Sequence, residues 1–526
     1  MTRRPAGLDP VPYGVLFAVV AALSLAPIAL VDLPPLHDYP FHLARFDILA
    51  RLDTSQFLQR HYRYGSLVLP NVGIDLLAWG LAELVPLKLA GLISLGAIQL
   101  AVLSGVAGLH YVLHRRLSAW PLIAGVLLYN WIFLYGFLNY LFGLGLWFWA
   151  VALWLLVRDR AVRVRLVAGT LAAVVLFFCH LVALGLFAIV VAGIELRHAT
   201  ATLRAAPGAT LGRLAIGALP FLVPLGLLLG VSPTAATTGM KFEYAWWGWK
   251  PMVTYQTLMS SNDLADGLLA VAAGCLVVLV IWQRRSVTWA GTMTLPLVLL
   301  GLAFLALPVT LMSSTFGDAR LPLAIVFLAI AASDLRPPTA RLGRVLVAAL
   351  IGLIVVRTGL IAADWRRYDR VFASFEAAFD RLEPGSVLLA ATAGNTTRLI
   401  MKDPADIRYW RPPLKHVVSL ASHGRDVFVP ATFAHAYQQP IQVRAPFAAL
   451  YEFHDVRPYI VKTPDALADF VRAAARLVPA EADGRRPPIY VLLTYPNDLR
   501  DAAVPGLTKT ADGPYFALYR LTGEAG

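Results

Sequence analysis

Cysteine is nearly absent from the 526 residues. Cys179 and Cys275 are the only two, and both sit in apolar runs. The polar C-terminal region therefore has no disulfide framework, and cysteine usage does not disclose a redox compartment. Charge is also scarce, with 15% charged residues against 58% apolar and a mean hydropathy of +0.65. That balance excludes an ordinary soluble globular protein and places the chain in a bilayer. No G-x-G-x-x-G or P-loop pattern is evident to cradle a nucleotide. Nor is there an internal repeat or low-complexity segment, which weighs against the repeated halves usual in transporters.

What charge there is leans basic, with a net charge of +13. A nucleic-acid partner would need those cations gathered into a patch. Here they fall in short turns between apolar runs: Arg3/Arg4, Arg115/Arg116, Arg158/Arg160/Arg163/Arg165, Arg197/Arg204/Arg213, Arg284/Arg285 and Arg336/Arg341/Arg344. The pattern implies topology and no nucleic acid. The positive-inside rule puts every cluster in the cytoplasm, so an even number of crossings must separate each from the next.

Two stretches are decided by that parity. Leu67 to Pro86 carries Asn71, Asp75, Trp79 and Glu83 at i+4 spacing, and reads as an amphipathic helix lying in the membrane interface rather than crossing it. Leu166 to Leu196 is interrupted at Cys179-His180, and reads as two short tilted spans meeting at the outer side. Eleven spans result, near 13 to 31, 87 to 113, 119 to 136, 140 to 157, 166 to 179, 181 to 196, 213 to 231, 265 to 283, 289 to 312, 320 to 335 and 345 to 362. The first follows Arg3 and Arg4, and its length and lack of a small-x-small cleavage site favour an uncleaved anchor over a signal peptide. The expected protein is multi-pass in the inner (plasma) membrane, with its N-terminus cytoplasmic and its C-terminus outside.

Beyond Asp364 the runs SVLLAAT, IYVLLTY and YFALYRL read as strands and PDALADFVRAAARL as a helix, which predicts a small extracytoplasmic α/β domain over 363–526. The transmembrane domain is then 1–362, with outer loops 32–66 and 232–264.

Polar and aromatic residues concentrate in the outward elements. In LPPLHDYPFHLARFDIL, Asp38 lies between His37 and Tyr39-Pro40, with His42 one turn on. Such a carboxylate suits a general base for a hydroxyl acceptor, or a divalent-metal ligand with His37 and His42. The competing reading is a helix cap, since Asp followed by Pro is an ordinary helix start. In MKFEYAWWGWKP, Trp246, Trp247 and Trp249 present faces that suit a sugar or a lipid head group, and equally an interfacial aromatic belt. Arg320, in FGDARLP, is an outward arginine fitted either to clamp a phosphate or to pair with Asp318. Asn139 and His180 fall at the outer rim, where they serve substrate or merely complete helix ends.

An uncleaved first span, an outer loop with an early acidic residue, a flat amphipathic helix and then paired spans resemble the GT-C class of integral-membrane glycosyltransferases, over roughly residues 10 to 360. The class places its catalytic carboxylate in the first outer loop, which maps onto Asp38 in HDYPFHLAR. Its juxtamembrane segment looks like LPNVGIDLLAWGLAELVP, and a late R-Y-x-x-P pattern looks like Arg320-Leu321-Pro322 with the proline displaced. Many bacterial members carry a second carboxylate in Y-G-R-x-x-x-D. Here Tyr135-Gly136-Phe137-Leu138-Asn139-Tyr140 lacks both the Arg and the Asp, leaving more weight on Asp38. The resemblance implies a polyprenyl-phosphate-linked sugar donor, an envelope glycan, lipid or protein acceptor, and inversion at the anomeric carbon. Arg320, with Lys241, would neutralise the leaving phosphate. A divalent metal is the one cofactor left open. A flippase or transporter for lipid-linked glycan, a non-catalytic assembly partner and a glycan ligase or polymerase are the competing functions.

Overall fold

The computed structural model describes residues 13–236, 242–311, 314–394, 413–454, 458–480, 484–496 and 499–522. The chain is a polytopic α-helical membrane protein with a small C-terminal α/β region. Among the described residues seven helices are long and apolar enough to cross a bilayer: Leu87–His114, Leu138–Val157, Val162–Cys179, Leu181–Thr202, Pro207–Gly230, Asp263–Trp282 and Ala340–Phe379. Shorter apolar helices at Tyr13–Ala29, Gly291–Ala306 and Arg320–Ala332 fall within three of the four remaining expected spans.

The chain folds as two compact units. The first comprises Met1–Ala29, Val68–Ile74 and Ser94–Ala362; the second comprises Leu30–Leu67, Asp75–Ile93 and Ala363–Gly526.

In the first unit, helices Leu87–His114 and Leu138–Val157 meet backbone to backbone. A Cβ on Gly105 would fall 2.6 Å from the Gly145 carbonyl oxygen, and one on Gly145 2.6 Å from Ala101. Only small residues allow such an approach, which in a bilayer supplies packing that the hydrophobic effect does not. The apolar stretch at 166–196 is indeed two helices, broken at His180, whose backbone is extended. They reach 18 and 22 residues because each runs into the arginine-bearing turn beside it, so neither is too short to span.

The stretch expected as one span at 119–136 is not a continuous helix. A 3-10 segment, Trp120–Leu127, gives way to the single turn Trp131–Tyr135. Pro121 opens the first, the Asn130 side chain accepts from the Phe133 amide to start the second, and Gly136 closes it at φ 96°. Hydropathy measures none of these stops. The helix in the flat stretch, Gly73–Ala82, has 10 residues. At 1.5 Å per residue it spans about 15 Å, half the ~30 Å hydrocarbon core.

In the second unit, a six-stranded sheet is centred on Ser386–Ala393, which lies parallel to Ile489–Thr494, Tyr459–Val461 and Val427–Phe428. Phe516–Leu521 and Leu507–Gly513 extend it antiparallel. All eight residues of the central strand are buried, the continuous apolar pattern of a strand covered on both faces. Helix Pro464–Arg476 starts on the Thr463 hydroxyl and turns Leu467, Phe470 and Val471 into the core. The three expected strands and this helix therefore stand where the sequence puts them.

Candidate active site

The loop that carries Asp38 belongs to the second unit. Helix Tyr39–Arg51 begins at Asp38, with Pro40 in its first turn. Asp38 occupies the N-cap position, and its carbonyl accepts from the His42 amide at 3.1 Å, yet its side chain makes no capping hydrogen bond. The carboxylate faces two imidazoles instead, His37 Nε2 at 3.8 Å and His416 Nε2 at 3.6 Å from Asp38 Oδ1. The His37 and His416 rings meet edge to face at 4.8 Å, and Phe41 lies between His416 (4.0 Å) and Phe433 (3.9 Å). Both histidines are buried, while the Asp38 side chain keeps 13% exposure, enough for a ligand to reach it.

The segment that carries His416 is held by the far end of the same helix. Asp47 pairs with Arg51 one turn on, and its other oxygen lies 3.3 Å from His423 Nδ1. Arg51 also donates to the Ser422 carbonyl at 3.2 Å. Burial opposes ionisation of Asp47, but hydrogen bonds from His423 and Arg51 outweigh it and hold the carboxyl below its ordinary range. The segment Pro413–Ser422 that carries His416 is thus tied to the helix that starts at Asp38.

His42 turns away from this group. Its Nδ1 lies 2.9 Å from Arg45 Nη2, and Arg45 pairs through Nε with Asp75 Oδ1 at 2.5 Å. Asp75 is fully buried, so this member of the i+4 stripe answers an arginine rather than a membrane interface. The third position beside His37 and Asp38 is filled by His416.

Asn139, His180 and Arg320 belong to the first unit and gather around Tyr140. The Tyr140 hydroxyl donates to the Arg320 carbonyl at 2.6 Å, and its ring meets His180 at 5.6 Å. The Arg320 guanidinium lies 4.5 Å from the centre of the Phe137 ring and donates to the Phe316 carbonyl at 3.1 Å. Asp318 is held by Lys250 at 2.7 Å and by Trp249 Nε1 at 3.0 Å. Asn139 accepts from the Ile74 amide at 2.7 Å, and His180 Nδ1 accepts from the Val182 amide at 3.0 Å. Each completes a helix start. Trp246 and Trp247 stand out from the surface at 64% and 89% exposure; it is Trp249 that reaches the turn before Arg320. Lys241 lies outside the described residues.

No protein-family model matches the chain, and no curated protein matches it. Solved structures do. ArnT from Cupriavidus metallidurans in the apo state superposes with a TM-score of 0.52 at 10% identity, covering 98% of this chain and 98% of that one. The same protein bound to undecaprenyl phosphate gives 0.49 at 10% identity, again with 98% of each chain covered. The chain has the ArnT fold. That likeness bears out the GT-C-like architecture expected from the sequence.

Sequence reasoning missed His416, the Arg45–Asp75 pair and the Asp47–His423 contact. Only Asp47-x-x-x-Arg51 left a trace, as an i,i+4 pair on a helix. His416 is a lone histidine hundreds of residues from Asp38, and no spacing rule connects them.

Proposed function

We propose that the chain is a membrane glycosyltransferase. It moves a sugar from a polyprenyl-phosphate-linked donor to a hydroxyl of an envelope glycan, lipid or protein at the outer face, with inversion. The observation that carries this reading is the Asp38 carboxylate, placed at a helix start, flanked by two imidazoles and not spent on the cap. The ArnT-like fold supports it. An outward site also suits the donor, because nucleotide sugars are cytoplasmic and a sugar used outside has to arrive on a lipid.

In this mechanism the acceptor oxygen attacks the anomeric carbon as its proton passes to Asp38. The bond from that carbon to the phosphate oxygen breaks, and the lipid phosphate leaves with the electron pair. His37 and His416 orient the carboxylate and provide the next stop for its proton. In a reconstituted membrane, Asp38→Asn lowers transfer by at least about 10²-fold while leaving insertion and thermal stability unchanged. Undiminished transfer overturns the mechanism.

A second reading is favoured by the ligand atoms themselves. One atom each from His37, Asp38 and His416 lie within 4.8 Å of one another. Tetrahedral ligands at zinc-like distances stand about 3.3 Å apart, so the 3.6 and 3.8 Å separations from Asp38 would contract slightly around an ion, and the wider 4.8 Å spread of the three atoms would close further. Two imidazoles and one carboxylate suit a divalent transition metal with an open position. A bound ion would supply Lewis-acid neutralisation of phosphate charge, and Asp38 would then be a ligand rather than a base. Chelator treatment separates the two. Activity lost and restored by added metal in the wild type, with metal content falling in His416→Ala, establishes the metal site; activity indifferent to chelation establishes the base.

A further inference from the structure

A second constellation lies within the first unit, where the arginine-bearing turns meet. Strand Val287–Trp289 pairs antiparallel with Ser333–Leu335, and the Arg336 amide donates to the Ser286 carbonyl at 2.7 Å. The turn with Arg284 and Arg285 is thereby fastened to the turn with Arg336. Asp334, fully buried, accepts from Arg116 Nη1 (3.1 Å), Arg336 Nε (3.0 Å) and Ser118 Oγ (3.0 Å). One carboxylate answers two guanidiniums, so the group keeps positive charge. Arg115, Arg284, Arg285, Arg341 and Arg344 are exposed, and among the described residues none of them is in an ion pair.

Beside this group opens a cleft of about 110 Å³, with Arg116 and Ser118 in its lining and Trp120, Leu276, Leu346 and Leu350 among its walls. An apolar slot beside guanidiniums matches a ligand with one long apolar chain and a phosphate. The positive-inside rule assigns this end of the helices to the cytoplasm, where the abundant molecule of that chemistry is an anionic phospholipid.

We infer that this cleft binds an anionic phospholipid of the cytoplasmic leaflet, with an acyl chain between Trp120, Leu276 and Leu350 and the phosphate among the arginines. A zwitterionic lipid carries a compensating cation that the arginines repel, so charge selects between the two.

The test is native mass spectrometry of the full-length protein in mild detergent, titrated with dioleoyl phosphatidylglycerol, dioleoyl phosphatidylcholine or undecaprenyl phosphate. Phosphatidylglycerol is expected to remain bound at about tenfold lower concentration than phosphatidylcholine, as one or two surface arginines dictate. Arg341→Gln combined with Arg344→Gln leaves Asp334 and its partners intact and should erase most of that preference. Val347→Trp, which fills the cleft, should weaken both phospholipids, with thermal shift confirming that each variant is folded. Equal retention of the two phospholipids, unchanged binding in folded variants, or displacement of phosphatidylglycerol by equimolar undecaprenyl phosphate overturns the inference.

Discussion

The two units treat buried polar side chains differently. In the first, Asn139 and His180 accept from the amides of Ile74 and Val182, Asp318 is held by Lys250 and Trp249, and Arg320 donates to a backbone carbonyl. Most of this polarity completes helix ends or answers a neighbouring charge, as a low-dielectric interior demands. In the second unit, Asp38 stands at a helix start without making the capping bond, and two imidazoles lie within 4 Å of its carboxylate. In so apolar a chain, a buried polar residue is a poor marker of function by itself. The better marker is a polar residue at a helix end whose side chain does not do the helix's work.

The contrast can be broken at several points. The largest expected effect on stability is at Asp75. Removing it as Asp75→Ala leaves the Arg45 guanidinium buried without its carboxylate, at a cost of about 3–5 kcal/mol, read by hydrogen exchange over residues 39–51. A change below about 1 kcal/mol would make the pair dispensable.

The second point is pH. His61 is buried with its Nδ1 2.8 Å from the Phe57 carbonyl and its ring 4.7 Å from Phe428, and burial pulls its pKa down to about 4. Between its unfolded value near 6.5 and the folded value, the unfolded chain binds a proton that the folded unit refuses. Stability therefore falls as pH drops through that window and returns as pH rises, by about 3 kcal/mol in all. Asp47, whose folded value is also depressed, acts in the same direction in a lower window: its contribution is full above the unfolded carboxylate value and is lost as pH falls below it. His61→Phe should flatten the upper window and leave the lower one alone. Thermal shift of the full-length protein from about pH 7 down to about pH 2 checks both.

Smaller effects come from the first unit. Asn139→Ala strips a buried amide of its acceptor and should cost about 1–3 kcal/mol. If Asn139 also serves substrate, the variant raises KM beyond what lost stability explains. Trp247→Ala, at so exposed a site, should move stability by less than about 0.5 kcal/mol. A rise in KM there would show a sugar or lipid contact, and its absence an interfacial anchor.

Much of the fold was legible because its signals are local. Apolar runs marked the spans, the Cys179-His180 interruption marked the break between Val162–Cys179 and Leu181–Thr202, and continuous apolar runs marked the strands at Ser386, Ile489 and Phe516. The interruption at 120–135 was missed because Pro121, Asn130 and Gly136 stop helices without lowering hydropathy. At the candidate site, Asp38 and His37 were legible through local pattern. His416 and the Arg45–Asp75 pair were not, since each joins residues far apart in sequence through packing alone.

That dependence on a distant residue has a consequence for how the protein is made. Asp38 leaves the ribosome early, whereas the histidine that completes its surroundings is among the later residues synthesised. At ordinary elongation rates the interval is roughly 20 to 75 seconds. For all that time the first loop lacks Phe433 and His416 against Phe41. The chain is thereby built to complete the surroundings of the Asp38 carboxylate last, after nearly all of its apolar helices have been handed to the membrane.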